Sequence, residues 1–190
     1  MKAYYEDKYV TIYHGDCKEV LYNTAMEANV VLTDPPYGIE YHSGYYKYGN
    51  PFNPIEGDNK YPIEMLDLFE IIANKAIILF ANWEVLRKVK LPTSIIVWIK
   101  NNWTAGDLEH EYARQYELIL FYALRNHKFA NGRPQDIIFC NRIMPTVHPT
   151  EKPVELISKL ILQNTEQNDI VLDPYLGSGK IGRASCRERV

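Results

Sequence analysis

The sequence predicts an α/β fold built on a mostly parallel sheet. Short apolar runs recur along the chain, at Val30-Val31-Leu32, residues 75–80, residues 94–99 and Ile170-Val171-Leu172. Stretches with helical spacing separate several of them, as at residues 63–74. Acids, prolines and glycines follow the runs at 30–32 and 170–172. Strands alternating with helices favour a parallel sheet, whose ligands gather at the carboxyl ends of the strands.

Residues 9–17 read as an opening strand that ends at Gly15-Asp16-Cys17, with Asp16 placed to cap a helix over residues 18–21. Residues 63–74 place Leu66, Leu68, Phe69, Ile71 and Ile72 at helical intervals. Strands are expected at 75–80, 94–99 and 116–124, the last with Glu117 flanked by apolar residues, and a short helical piece at 83–88. From Pro153 a helix carries Val154, Ile157 and Ile161 on one stripe and Leu156 and Leu160 beside it. Pro153 suits its first turn and Thr150 its cap. Residues 39–61 and 125–147 do not read as regular structure. The first is rich in Tyr, Gly, Asn and Pro, and is either a lid over a site or a loop with surface tyrosines.

The chain of 190 residues, 46% hydrophobic, is enough for one domain with a sizeable core. No apolar run approaches a membrane span, and no secretory signal is seen. Three cysteines give no disulfide framework and suit a reducing cytoplasm. The histidines and cysteines lack metal-ligand spacing. A formal net charge of −3 does not advertise nucleic-acid binding, so any such contact would rest on local basic patches.

Residues 34–38 read Asp34-Pro35-Pro36-Tyr37-Gly38 directly after an apolar run. Proline fixes φ and lacks an N–H, which leaves nearby carbonyls free as acceptors. Asp34 adds acceptor oxygens and Tyr37 a flat face. Acceptors beside a stacking face suit an exocyclic amino group on a planar ring, although a plain strand-end turn has the same sequence. A second motif, Asp173-Pro174-Tyr175-Leu176-Gly177-Ser178-Gly179, follows another apolar run. Glycines there let backbone approach a ligand closely. A P-loop would need glycine where Pro174 stands and Ser or Thr where Ile181 stands, so the phosphate reading fails twice. A third motif, His148-Pro149-Thr150-Glu151-Lys152-Pro153, precedes the helix at 154.

Together the three motifs resemble those of DNA amino-methyltransferases, in the order of the circularly permuted beta group. The resemblance implies a Rossmann-like, S-adenosylmethionine-dependent methyltransferase fold. It implies S-adenosyl-L-methionine as cofactor and double-stranded DNA as partner, and leaves open a cognate restriction endonuclease and a homodimer. It assigns catalysis to Asp34, Pro35, Pro36 and Tyr37. Asp173 would pair with the ammonium of the cofactor and Gly177 and Gly179 would pass beneath it, with Tyr175, Thr150, Lys152 and Asp16 around it. For Asp16, helix capping stands as the alternative. Tyr45 and Lys47 in the 39–61 lid, and Arg125, Lys128 and Arg133 in a short target-recognition region at 125–147, would meet DNA. Asp at the head of the first motif implies methylation of adenine N6. Cytosine-N4 methylation and a non-catalytic DNA-binding fragment are the alternatives.

After Gly179 the sequence departs from the family pattern. Residues 181–190 resemble a translated sequencing adapter, so the expected domain is residues 1–180, truncated, followed by a non-native tail. The tail carries three arginines and one glutamate, which leaves the first 180 residues at −5. Without the strand that would follow, the strand at 170–172 is expected at an exposed sheet edge and the chain to be unstable or inactive.

Overall fold

The computed structural model describes residues 1–38, 60–102, 109–110, 112–143, 151–177, 179, 182 and 184. Its centre is a six-stranded sheet of β3 (Ala28–Thr33), β4 (Ala73–Ala81), β5 (Ser94–Ile99), β6 (Tyr116–Ala123), β7 (Ile137–Phe139) and β8 (Val171–Leu172), in the order β7-β5-β6-β4-β3-β8. Helices α1 (Cys17–Thr24), α2 (Met65–Ile72) and α3 (Val154–Asn164) complete the layers. Among the described residues, no helix is long and apolar enough to cross a membrane.

The middle strands are buried on both faces, and alternation along each decides which helix a side chain meets. Val30 and Leu32 of β3, Ala76, Ile78 and Phe80 of β4, and Ile119 and Phe121 of β6 pack with Leu156, Ile157, Leu160 and Ile161 of α3. The intervening Val31, Ile77, Leu79 and Leu120 pack with Leu66, Phe69 and Ile72 of α2. The stripe read from residues 154–161 is therefore the face that α3 buries.

The strands expected at 75–80, 94–99 and 116–124 form within a few residues of those bounds. Five strands run in one direction. β6 alone is antiparallel to both of its neighbours, β4 and β5. For β6 to run parallel to β5, residues 100–115 would have to form a crossover, usually a helix, and they carry no helical stripe.

Three expectations need correcting. Residues 9–17 do not supply a strand of the main sheet. Thr11–Ile12 (β2) pairs only with Tyr5–Glu6 (β1), in a separate two-stranded ribbon. Its turn is local, with Asp7 Oδ1 accepting from the N–H groups of Tyr9 and Val10 at 2.7 and 2.8 Å. The region 125–147 is not all irregular, because β7 pairs in parallel with β5 at the sheet edge. Three residues are too short to show alternation. Pro153 stands just before α3 rather than in its first turn, and Ile157 N–H bonds to its carbonyl at 3.2 Å.

β8 forms the opposite edge, held by contacts outside the ladder. Asn29 Oδ1 accepts from Ile170 N–H at 2.7 Å, and Lys75 Nζ meets Asp169 Oδ2 at 2.7 Å. These fix the height at which residues beyond Leu172 leave the sheet.

Leu160 is fully buried against the sheet while Leu162 on the same helix is 40% exposed. Leu160→Ala is expected to cost about 2–5 kcal/mol in urea unfolding. Leu162→Ala should stay within about 0.5 kcal/mol. Equal losses would show that α3 does not pack as described.

Candidate functional site

The carboxyl edge of the sheet collects the charged residues. Asp34 follows β3, Lys100 follows β5, Glu117 stands at the start of the reversed β6, and Asp173 follows β8. Lys152 reaches them from the segment ahead of α3. Apolar packing beneath them sets their positions, so each is where its strand leaves the core.

Thr33 ties the two acid motifs together. It is fully buried, and its Oγ1 donates to Asp173 Oδ1 at 2.5 Å. Tyr175 N–H lies 3.2 Å from both oxygens. The parallel register of β3 with β8 thus brings Asp34-Pro35-Pro36-Tyr37 beside the Asp173 loop, although about 140 residues separate them in sequence. Pro35 is buried, and Pro36 and Tyr37 are half-buried.

Gly38 closes the elbow with φ +69°. A Cβ there would stand 2.7 Å from Tyr61 N and 2.9 Å from Lys60 Cα. Only glycine combines that backbone conformation with so close an approach. Tyr61 is 5% exposed, and its hydroxyl has no hydrogen-bond partner among the described residues.

An alternating chain of charge runs through the site. Lys152 Nζ lies 2.6 Å from Asp34 Oδ2 and 3.4 Å from Glu117 Oε2, and Lys100 pairs with Glu117 Oε1. Tyr37 donates its hydroxyl to Asp34 Oδ1 at 3.0 Å, and Lys152 Nζ stands 5.5 Å from the Tyr37 ring centre. Side-chain exposure is 7% for Lys152 and 5% for Lys100, so this is a mostly desolvated network of two cations and two anions. Burial lifts the Asp34 carboxyl above the usual range although Lys152 opposes it. Burial also penalises the Glu117 carboxylate, but Lys152 and Lys100 outweigh it and hold the group below its ordinary value. Desolvation works against the Lys152 ammonium, yet Asp34 and Glu117 keep it firmly protonated.

Asp173 differs. Its hydrogen-bond partners among the described residues, Thr33 and Tyr175 N–H, are neutral donors, and burial pushes its carboxyl up to about 7. A half-buried carboxylate with no cation partner among the described residues suits a ligand that brings one.

The remaining sequence-derived site residues are distributed as follows. Asp16 caps α1, its Oδ1 accepting from Lys18 and Glu19 N–H at 2.9 and 3.1 Å. Its turn lies near the second motif, since the neighbouring Cys17 packs against the same apolar cluster as Tyr175. Gly177 and Gly179 adopt φ +51° and +69°, and a Cβ at Gly179 would meet nothing within 4 Å. Lys152 sits on the Asp34 elbow. Thr150, Tyr45 and Lys47 lie outside the described residues.

Arg125 and Lys128 are exposed, but they follow the end of β6 that pairs with the beginning of β4. They therefore emerge at the amino edge of the sheet, opposite Asp34. Arg133 follows Asn131, whose side chain bonds to Leu162 O near the end of α3 on that same edge. The reversal of β6, which sequence order alone does not reveal, separates these residues from the elbow. Arg142 instead returns beside Lys100, its N–H bonded to Asn101 Oδ1 at 3.0 Å. Sequence reasoning gave no role to Lys100 or Glu117. The available signal was one carboxylate in the otherwise apolar run Tyr116-Glu117-Leu118-Ile119-Leu120.

Residues 124–188 match the model of a family described as DNA methylase. The Type II methyltransferase M2.MboI of Moraxella bovis is 51% identical over 37 residues, 20% of this chain and 14% of that protein. M2.LlaDCHI of Lactococcus lactis subsp. cremoris is 28% identical over 101 residues, 50% of this chain and 34% of the other. The chain thus matches about a third or less of these relatives' length. The fold is shared with the crystal structure of an M1.HpyAVI–SAM complex (TM-score 0.68, 24% identity, 93% of this chain and 88% of that one). It is also shared with the cytosine-N4-specific PvuII DNA methyltransferase (TM-score 0.67, 13% identity, 94% and 78%). The resemblance to DNA amino-methyltransferases and the methyltransferase fold expected from the motifs are borne out.

Asp173 generates a pH-dependent prediction. Its folded-state value of about 7 lies above its ordinary 3.8. Between the two, the folded chain holds a proton that the unfolded chain has released, so stability falls as pH rises through that window. Asp173→Asn removes the loss while keeping an oxygen for Thr33 and Tyr175. Relative to wild type, the variant's melting temperature should be higher at a pH of about 8 than at about 5. A difference independent of pH would contradict the raised carboxyl of Asp173.

Proposed function

We propose that the protein is an S-adenosyl-L-methionine-dependent DNA methyltransferase acting on the N6 amino group of a flipped adenine. The observation that carries this reading is the junction of the two motifs, with the Asp34-Pro35-Pro36-Tyr37 elbow and the Asp173 loop on adjacent strands joined through Thr33 and Asp173. Asp at the head of the elbow supports adenine over cytosine, by resemblance to the family pattern.

The residues present fit the cofactor. Asp173, half-buried and with neutral donors as its partners among the described residues, would hold its ammonium group, and a Cβ at Gly179 would meet nothing within 4 Å, so backbone there can pass close to a ligand. Asp16 and Tyr175 would border the same region. S-adenosyl-L-methionine, when bound, supplies an electrophilic methyl group on a sulfonium.

The protein's part is orientation and proton management. Flipping the base costs a few kcal/mol, and stacking on Tyr37 would return roughly 1–3 kcal/mol. Asp34 and the Pro35 carbonyl would accept hydrogen bonds from the amino group and so aim its lone pair. Fixing reactants in line supplies most of the rate, without a covalent enzyme intermediate. The methylated amine is cationic until it loses a proton. Asp34 is the acceptor at hand, and burial makes its carboxylate more basic than an exposed one. Tyr45 and Lys47, together with Arg125, Lys128 and Arg133, are the proposed DNA contacts. The last three require the duplex, or a second copy of the chain, to reach the amino edge of the sheet.

Asp34→Ala should lower incorporation of labelled methyl groups into DNA by about 10²–10⁴-fold while leaving cofactor affinity by calorimetry unchanged. Persistence of transfer would disprove the assignment of the site. Digestion of the product DNA should yield N6-methyladenine. N4-methylcytosine would move the target to cytosine, and DNA binding without any label would indicate a non-catalytic fragment.

A further inference from the structure

Asp34 is already engaged before any substrate arrives. One carboxylate oxygen takes the Tyr37 hydroxyl at 3.0 Å and the other takes Lys152 Nζ at 2.6 Å. An amino group entering the elbow must compete with a buried ammonium. Glu117 offers that ammonium an alternative. Its Oε1 is occupied by Lys100, whereas Oε2 is buried and has no hydrogen-bond partner among the described residues. Oε2 stands 3.4 Å from Lys152 Nζ, at ion-pair distance but without hydrogen-bond geometry. A carboxylate oxygen that meets an ammonium only at ion-pair distance gains from its closer approach.

We propose that Glu117 is a positioning residue whose Oε2 receives the Lys152 ammonium when the substrate amino group takes Asp34. The inference rests on the proposed role of Asp34 as acceptor of that amino group. The movement required is at least about 0.8 Å, the difference between the two distances from Lys152 Nζ. Lys152 is paired at both ends of it, so no charge is stranded in a dry pocket. Lys100 sets the balance. It holds the far oxygen of Glu117, keeps the carboxylate ionised, and weakens its pull on Lys152 enough for Asp34 to retain the lysine in the free protein.

A pH profile separates this role from simple support of the fold. The groups that face Asp34 are Lys152 ahead of α3, Glu117 of β6 with Lys100 behind it, Tyr37 on the elbow, Tyr61 before α2 and Asp173 after β8. In Glu117→Gln the anion that raises Asp34 is gone and Lys152 has nowhere else to go. The acid limb of kcat should then move to lower pH, yet the plateau kcat should fall on the order of 10- to 100-fold, with cofactor affinity unchanged. Better ionisation with slower turnover is not what a merely structural lesion produces. Lys100→Met should move the acid limb the opposite way, because Glu117 then draws Lys152 off Asp34.

The experiment is methyl transfer against pH for the wild-type chain and both variants, with the Asp34 carboxyl followed by carbon-13 NMR in parallel. A plateau kcat within about twofold of wild type in Glu117→Gln, or an acid limb that does not move, overturns the proposal. Should wild type transfer no methyl group, the functional reading fails by itself. The sharing of Lys152 is then decided by NMR, supported by opposite shifts of Asp34 in the two variants and overturned by their absence.

Discussion

The ion pair between Lys152 and Asp34 is the constraint around which the carboxyl edge is organised. An ammonium 7% exposed is costly to desolvate, and a single surface-type contact would not offset that. Lys152 is therefore met on two sides, by Asp34 from β3 and by Glu117 from β6, with Lys100 closing the chain beyond. Each charge balances its neighbour. Removing Lys152 would leave Asp34, and removing Glu117 would leave Lys100, without its balancing charge, a loss of about 3–5 kcal/mol in comparable cases. The lysine also lies 5.0 Å from the Phe80 ring, so the apolar core itself helps place it.

The second organising feature is the pairing of β3 with β8. Two ladder positions, Val30 with Val171 and Val31 with Leu172, are a short contact for an edge strand. The Asn29 and Lys75 contacts at its start and the Thr33–Asp173 hydrogen bond at its end extend the grip beyond the ladder. A one-residue slip would turn Asp173 away from Thr33. The geometry of the proposed cofactor site thus depends on polar contacts flanking a strand too short to set its own register.

The two acids end up with different characters for an identifiable reason. Both are desolvated, but Asp34 has a cation at 2.6 Å and Asp173 has neutral donors as its partners among the described residues. Asp34 is arranged to accept hydrogen bonds with its charge already balanced. Asp173 is arranged to wait for a positive group. In the proposed reaction these are the demands of the substrate amine and of the cofactor ammonium.

What the sequence determined by itself was local. The apolar runs at 30–32, 75–80, 94–99 and 116–124 became strands because alternation and apolarity are properties of adjacent residues. The stripe from 154 to 161 became the buried face of α3 for the same reason, and the Asp34-Pro35-Pro36-Tyr37-Gly38 elbow was legible because prolines and glycine act on their own backbone. Tertiary structure alone decided the rest. The direction of β6 placed Glu117 beside Lys152 and carried Arg125 and Lys128 to the far edge. The ribbon of Tyr5–Glu6 with Thr11–Ile12 turned the expected opening strand away from the sheet. The engagement of Lys152 by both Asp34 and Glu117, and the desolvation of Asp173 between Thr33 and Tyr175, depend on residues far apart in the chain. Charges are stabilised by what surrounds them in space, and sequence order does not carry that information.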